Sequence, residues 1–145
     1  MPMPRMDLNA APKGLKLLLA LLLLTFAVQA ARAIPTPDKR PYVLVVYADW
    51  CPSCQQLKPT LALLNEKYNG KIRFVRFDIT SELTATRSRE RAEKLGLADF
   101  YEKNHERTSL VIVLDSSRKE VFRTVNDTVP EHYTSVLDSL LERHP

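Results

Sequence analysis

The hydrophobic pattern changes period along the chain, and each change marks an element. Residues 42–48 are unbroken apolar sequence, as expected of a strand buried on both faces of a sheet covered by helices. From 52 to 68 the spacing lengthens, and Leu57, Leu61, Leu64 and Tyr68 fall on one helical face. Pro52 suits a first turn, where a missing N–H costs nothing; Pro59 lies deep enough to kink the helix; Gly70 is the expected C-cap residue. Residues 72–79 alternate, with Ile72, Phe74 and Arg76 on one side and Arg73, Val75, Phe77 and Ile79 on the other. A charged helix is expected over about 82–95. Leu83, Arg87 and Arg91 share a stripe, Ala92 and Leu95 supply apolar contact, and Gly96 ends it. Another turn or two of helix fits 97–104. Two strands follow, at 109–114 and about 120–125, joined by the hairpin-length segment Asp115-Ser116-Ser117-Arg118. The last helix spans about 130–143, with Thr128 as its N-cap and Val136, Leu137, Leu140 and Leu141 as its apolar face.

The order is β-α-β-α-β-β-α. A first βαβ unit crosses right-handed between parallel strands, and a hairpin makes the last pair antiparallel. An α/β fold follows: a mixed four-stranded sheet with helices on both faces. A chain of 145 residues allows one such domain plus an appendage.

The appendage is N-terminal. Residues 17–28 are almost wholly apolar, preceded by Arg5, Lys13 and Lys16 and followed by Gln29-Ala30-Ala31-Arg32-Ala33. Val28-x-Ala30 and Ala31-x-Ala33 both meet a small-residue cleavage pattern, so residues 1–33 read as a secretory signal peptide. The apolar run, about 12 residues, falls short of the roughly 20 that span a bilayer. Extended from Leu15 to Ala31 it approaches that length, which leaves an uncleaved N-terminal anchor as the alternative. Residues 34–41 form a Pro-rich leader, and 42–145 the folded domain.

Charge sharpens this division. The formal net charge is +4, but Arg5, Lys13, Lys16 and Arg32, opposed only by Asp7, supply most of it; the remaining chain is nearly neutral. No basic cluster with interleaved aromatics is present, which argues against nucleic acid as a partner. The Arg87, Arg89, Arg91 run is interrupted by Glu90 and followed by Glu93, and reads as a solvated helix face.

The candidate chemistry lies in Trp50-Cys51-Pro52-Ser53-Cys54, between the buried strand and the first helix. It contains both of the chain's cysteines. A helix N-terminus favours a thiolate. A disulfide across so short a loop removes little chain entropy, so the pair is a poor staple. In an oxidising compartment it suggests redox use instead.

The stretch Tyr47-Ala48-Asp49-Trp50-Cys51-Pro52-Ser53-Cys54-Gln55-Gln56-Leu57-Lys58-Pro59, set inside a βαβ unit, resembles the thioredoxin family, and the resemblance extends over about residues 40–143. It implies an exported thiol–disulfide oxidoreductase, reductase-like, acting on protein thiols and disulfides and recharged by a redox partner. Cys51 would be the exposed attacking nucleophile, Cys54 the more buried resolving thiol, and Cys51–Cys54 the redox-active disulfide. Trp50 would shape the substrate surface, and Pro52 and Ser53 would tune thiolate stability. Neither cofactor nor metal is implied. A monomer is expected, periplasmic or secreted, meeting the membrane only through an uncleaved N-terminal segment.

Three positions depart from the family pattern. Val45 stands where a buried acid usually lies. Thr108 stands where a cis-proline usually faces the dithiol. The segment between Gly96 and Thr108 is long, so that Phe100, Tyr101 and His105 could cap the site. Two other readings remain: a redox-inactive binding domain with a permanently closed disulfide, and a dithiol holding a soft metal such as Cu(I) or Zn(II).

Overall fold

The unbroken apolar run becomes β1 (Tyr42–Tyr47), and all of its residues are buried. The computed structural model describes residues 38–143; the expected signal segment and the first half of the leader, residues 34–37, lie outside them. After β1 come α1 (Pro52–Lys67), β2 (Arg73–Asp78), α2 (Glu82–Lys94), α3 (Ala98–Asn104), β3 (Leu110–Leu114), β4 (Glu120–Val125) and α4 (Pro130–Arg143). The strands form one sheet in the order β2-β1-β3-β4. β1 pairs parallel with β2 and antiparallel with β3, and β3 pairs antiparallel with β4. Among the described residues, no helix is long and apolar enough to cross a membrane.

Strand alternation sends side chains into two core layers. Tyr42, Leu44 and Val46 pack with Val75, Phe77, Leu110, Ile112 and the residues of α2 and α3. Val43 and Val45 pack on the opposite face with Leu57 and Leu64 of α1 and Tyr133, Leu137 and Leu140 of α4. Leu57, Leu64 and Leu137 are wholly buried, which stabilises the fold by about 1.5–3 kcal/mol apiece in transfer terms alone. Burial on both faces is why β1 has no polar positions.

Pro59 lies inside α1 without ending it. The C-cap of that helix is Tyr68 rather than Gly70; Gly70, at φ +75°, supplies the left-handed turn two residues later. Gly96, at φ +68°, does the same after α2. A capping box between Ser81 and Thr84 starts α2. The expectation for α4 needs a correction. The helix opens at Pro130, so Thr128 stands one residue too early to cap it. Its carbonyl instead accepts from Thr60 Oγ1 at 2.7 Å. Asp127 secures this entry, with Oδ1 accepting from Val129 N–H at 3.1 Å and its carbonyl accepting from the Tyr133 hydroxyl at 2.6 Å.

Phe100, Tyr101 and His105 also fall elsewhere than expected. Tyr101 is buried in the first layer, edge-on to Phe77, and donates to the Ala85 carbonyl at 2.9 Å. Phe100 packs against the same layer, and His105 stacks on Tyr101. These rings fill the core beneath α2 and α3. An amphipathic helix, not a cap, accounts for the length of this connection.

Candidate dithiol site

The site is built where β1 and β2 end together. Their parallel register sets Tyr47 beside Asp78, so the segments leaving both strands emerge at one edge. Thr80 uses that proximity. It is fixed by Asp78, whose Oδ1 accepts from Thr80 N–H at 2.9 Å and from its hydroxyl at 2.6 Å. Thr80 Oγ1 accepts from Asp49 N–H at 2.9 Å, and its carbonyl accepts from Trp50 Nε1 at 3.2 Å. The Asp49-Trp50 turn is thereby clamped to the neighbouring strand. Trp50 stays 63% exposed, an apolar surface beside the cysteines.

From that turn the chain enters α1. Cys51 N–H donates to the Ala48 carbonyl at 3.2 Å, and Cys51 becomes the helix N-cap in an extended conformation. Its sulfur takes the role usually filled by a Ser, Thr or Asp oxygen, accepting from Cys54 N–H at 3.2 Å. Pro52 occupies the first turn. Gln55 braces the turn from inside the helix. Its Nε2 donates to the Asp49 carbonyl at 2.9 Å and to the Tyr47 hydroxyl at 3.1 Å, while that hydroxyl donates to Asp49 Oδ1.

Both cysteines are free thiols. Cys51 is 5% exposed and Cys54 2%, packed with Tyr47 and Ala48 and bordered by Ile79. The expected contrast between an exposed first thiol and a buried second one is therefore absent at residue level, because the turn folds Cys51 back onto Ala48. The two differ instead in hydrogen bonding. Burial pushes the Cys51 thiol up, but hydrogen bonds from the Cys54 thiol, the Thr108 hydroxyl and the backbone N–H groups of Cys54 and Ser53 outweigh it, and its pKa is lowered. Burial and the neighbouring Cys51 sulfur together raise Cys54, only partly offset by backbone hydrogen bonds from Ala48 and Ser109.

Thr108 is among the groups that lower the Cys51 pKa. The backbone beside it takes an unusual conformation at Ser109, φ +60°, with Ser109 N–H donating to the Val46 carbonyl at 2.9 Å and its carbonyl accepting from Asn126 N–H at 3.2 Å. The peptide bonds among the described residues are all trans. Ser109 is 1% exposed, and its Oγ has no hydrogen-bond partner among the described residues. Val45 is buried in the α1-facing layer, and no carboxylate is among the main causes of the Cys54 shift. Among the described residues, no group of three His, Cys, Asp or Glu side chains stands ready to hold a metal ion. A metal on the two sulfurs would need ligands from outside them.

Thr80, Gln55, Tyr47 and Ser109 did not stand out in the sequence. Thr80 could have been found by extending the parallel pairing past the strand ends, which sets it opposite the dithiol turn.

A CxxC pair capping the helix that follows the first strand of a β2-β1-β3-β4 mixed sheet defines the thioredoxin-like class of dithiol proteins. The chain belongs to the thioredoxin family, whose model, described as Thioredoxin, matches residues 28–108. A 55-residue segment is 42% identical to a thiol:disulfide interchange protein TxlA homolog of Synechocystis sp., covering 35% of this chain and 31% of that protein. The match thus spans about a third of that relative. Two solved structures share the fold. One is a thioredoxin-like protein in its oxidised form, with TM-score 0.52 and 11% identity over 74% of this chain and 82% of that one. The other is a DsbF homologue from Corynebacterium diphtheriae, with TM-score 0.51 and 16% identity over 72% and 74%.

Proposed function

We propose that the protein is an exported thiol–disulfide oxidoreductase that acts on protein disulfides through Cys51 and Cys54. The observation that carries this reading is the seating of both free thiols at one helix N-terminus, where Cys51 caps the helix and its Sγ accepts from Cys54 N–H at 3.2 Å. The Cys51 thiolate attacks one sulfur of a substrate disulfide. A Cys51–substrate disulfide forms, the substrate S–S bond breaks, and the departing thiolate takes up a proton. Cys54 then loses its proton and attacks Cys51 Sγ. The Cys51–Cys54 disulfide closes, the second substrate thiol leaves, and two electrons have passed to the substrate.

Neutral donors hold the Cys51 sulfur: Thr108, the Cys54 thiol and backbone N–H groups. The main causes that lower Cys51 include no cation, which favours the reducing direction, since strong stabilisation of the reduced form is what makes a dithiol oxidising. Trp50 offers apolar contact to substrate, and Pro52 and Ser53 fix the spacing of the sulfurs. A separate thiol donor returns the disulfide to the dithiol. The signal-like segment of residues 1–33 supports delivery outside the cytosol, with the domain either released or held by an uncleaved anchor. Val45 favours a second reading, a closed and inert disulfide, because that position supplies no carboxylate to help deprotonate Cys54. Insulin reduction separates them. Wild type should precipitate insulin in the presence of dithiothreitol well above background and Cys51→Ser should not; equal inactivity with both thiols titratable would sink the oxidoreductase reading.

A further inference from the structure

β2 is an edge strand, and its outer side is only partly closed. Arg73 N–H bonds to the Pro41 carbonyl and Ile79 N–H to the Tyr47 carbonyl, so the odd-numbered residues of β2 face β1. The backbone groups of Phe74, Arg76 and Asp78 therefore point outward. Ser88 of α2 occupies the last of these rungs, donating to the Asp78 carbonyl at 2.9 Å and accepting from Asp78 N–H at 2.8 Å. The rungs at Phe74 and Arg76 have no hydrogen-bond partner among the described residues.

Two hollows flank this open edge. One, of about 360 Å³, lies between α1 and β2, lined by Tyr47, Lys58, Leu61 and Phe74; the other, of about 180 Å³, lies against α2 and includes Asp78 and Arg87. Both are lined by Arg76 and Arg91, which makes them one groove wrapping the strand edge. Its rim carries four cations and one carboxylate. Lys58, Arg87 and Arg91 make no ion pair among the described residues, and Arg76 only approaches Asp78 at 4.0 Å. Lys58 and Arg76 stand over the Tyr47 ring, 5.3 and 4.8 Å from its centroid. Tyr47 belongs to the same buried cluster as Cys51 and Cys54, so the groove begins beside the dithiol.

We propose that this groove docks an extended acidic segment of the protein partner, which adds to the sheet at Phe74 and Arg76 and sets its carboxylates against Lys58, Arg76, Arg87 and Arg91. Unpaired edge rungs supply main-chain affinity, and the uncompensated cations select the sign of charge. That the partner exchanges disulfides rests on the function proposed above; the docking itself does not.

The test uses a dye-labelled peptide of alternating Glu and Thr, about ten residues long to span the strand, titrated by fluorescence anisotropy against a Cys51→Ser/Cys54→Ser double variant. Working without thiols separates docking from redox chemistry. The acidic peptide should bind, and its counterpart with Lys in place of Glu should not. Adding Arg87→Glu and Arg91→Glu should weaken binding at least about tenfold, as should N-methylation of alternate peptide amides, which keeps the charge but removes edge donors. The same two substitutions in the wild-type background should leave the reaction of Cys51 with a small aromatic disulfide unchanged. Equal binding of both peptides, or indifference to the charge reversal or the N-methylation, overturns the proposal. Docking without any disulfide exchange by the wild type would leave the groove standing and overturn the proposed function.

Discussion

Replacing Thr108 by Val removes one hydroxyl from beside Cys51 and keeps the shape of the side chain. The Thr108 side chain is one of the causes that hold the Cys51 pKa down, as expected of a hydroxyl that donates to the thiolate. A hydrogen bond to a charged group is worth about 1.5–3 kcal/mol, and about 1.4 kcal/mol is tenfold in an equilibrium constant. Taking the lower end, the thiolate population well below the Cys51 pKa should fall about tenfold. The remaining thiolate is more basic and hence more nucleophilic; with a Brønsted slope of about 0.4–0.5, each thiolate reacts about threefold faster. The net expectation is a rate of iodoacetamide alkylation about three- to fourfold lower than wild type at acidic pH and about threefold higher at alkaline pH. The two pH–rate profiles must cross. Pseudo-first-order alkylation from pH 4 to 10, on the Cys54→Ser background so that only one thiol reports, gives both curves. Superimposed profiles, or a uniform offset without a crossing, would refute the assignment of Thr108 as a thiolate donor.

Other expectations follow from burial and pairing. Ser88→Ala leaves the Asp78 N–H and carbonyl without their shared hydroxyl and should cost about 1–3 kcal/mol in urea unfolding, with an unchanged slope. Val45→Asp places a carboxyl in the buried strand opposite Val111. Burial should raise its folded pKa, so the folded state binds the extra proton and stability falls as pH rises. The variant should lie closer to wild type at pH 4 than at pH 8 in matched melts, while the mixed-disulfide intermediate shortens its lifetime at neutral pH. Asp38 has the opposite sign. Hydrogen bonds from Arg40 and Arg73 hold its carboxyl well below the ordinary carboxylate range, so its contribution is complete above about pH 4 and fades as pH falls further. Asp38→Asn should flatten the acid limb of the stability curve and leave pH 7–8 reactivity at the dithiol unaltered.

The elements were legible because apolar periodicity is a direct consequence of burial. The unbroken β1 run, the alternating β2 and the amphipathic α4 all lie within a residue or two of their expected ends. Thr108 was matched to its position before β3 through the family pattern, and it is among the groups that lower Cys51. What stayed hidden depends on contacts between distant segments. Thr80 becomes a clamp only once two strands are in parallel register, and the exposure of Cys51 is decided by a turn back onto Ala48. Thr128 failed as an N-cap because the helix begins at Pro130, one residue further on than that role requires. Ser109 adopts a positive φ that no glycine announces. The arginines of α2 read as a solvated face, since their relation to Arg76 and Lys58 exists only across the sheet edge.

The most direct measurement is intermediate trapping. A substrate with a single accessible disulfide is mixed with Cys54→Ser and, separately, with Cys51→Ser, quenched in acid and analysed by intact mass. Cys54→Ser should accumulate a covalent one-to-one mixed disulfide through Cys51 within the time wild type completes a turnover, and Cys51→Ser should yield at most a trace. Equal trapping through either cysteine, or none through Cys51 while wild type still reduces the substrate, would contradict the assignment of Cys51 as the attacking thiol.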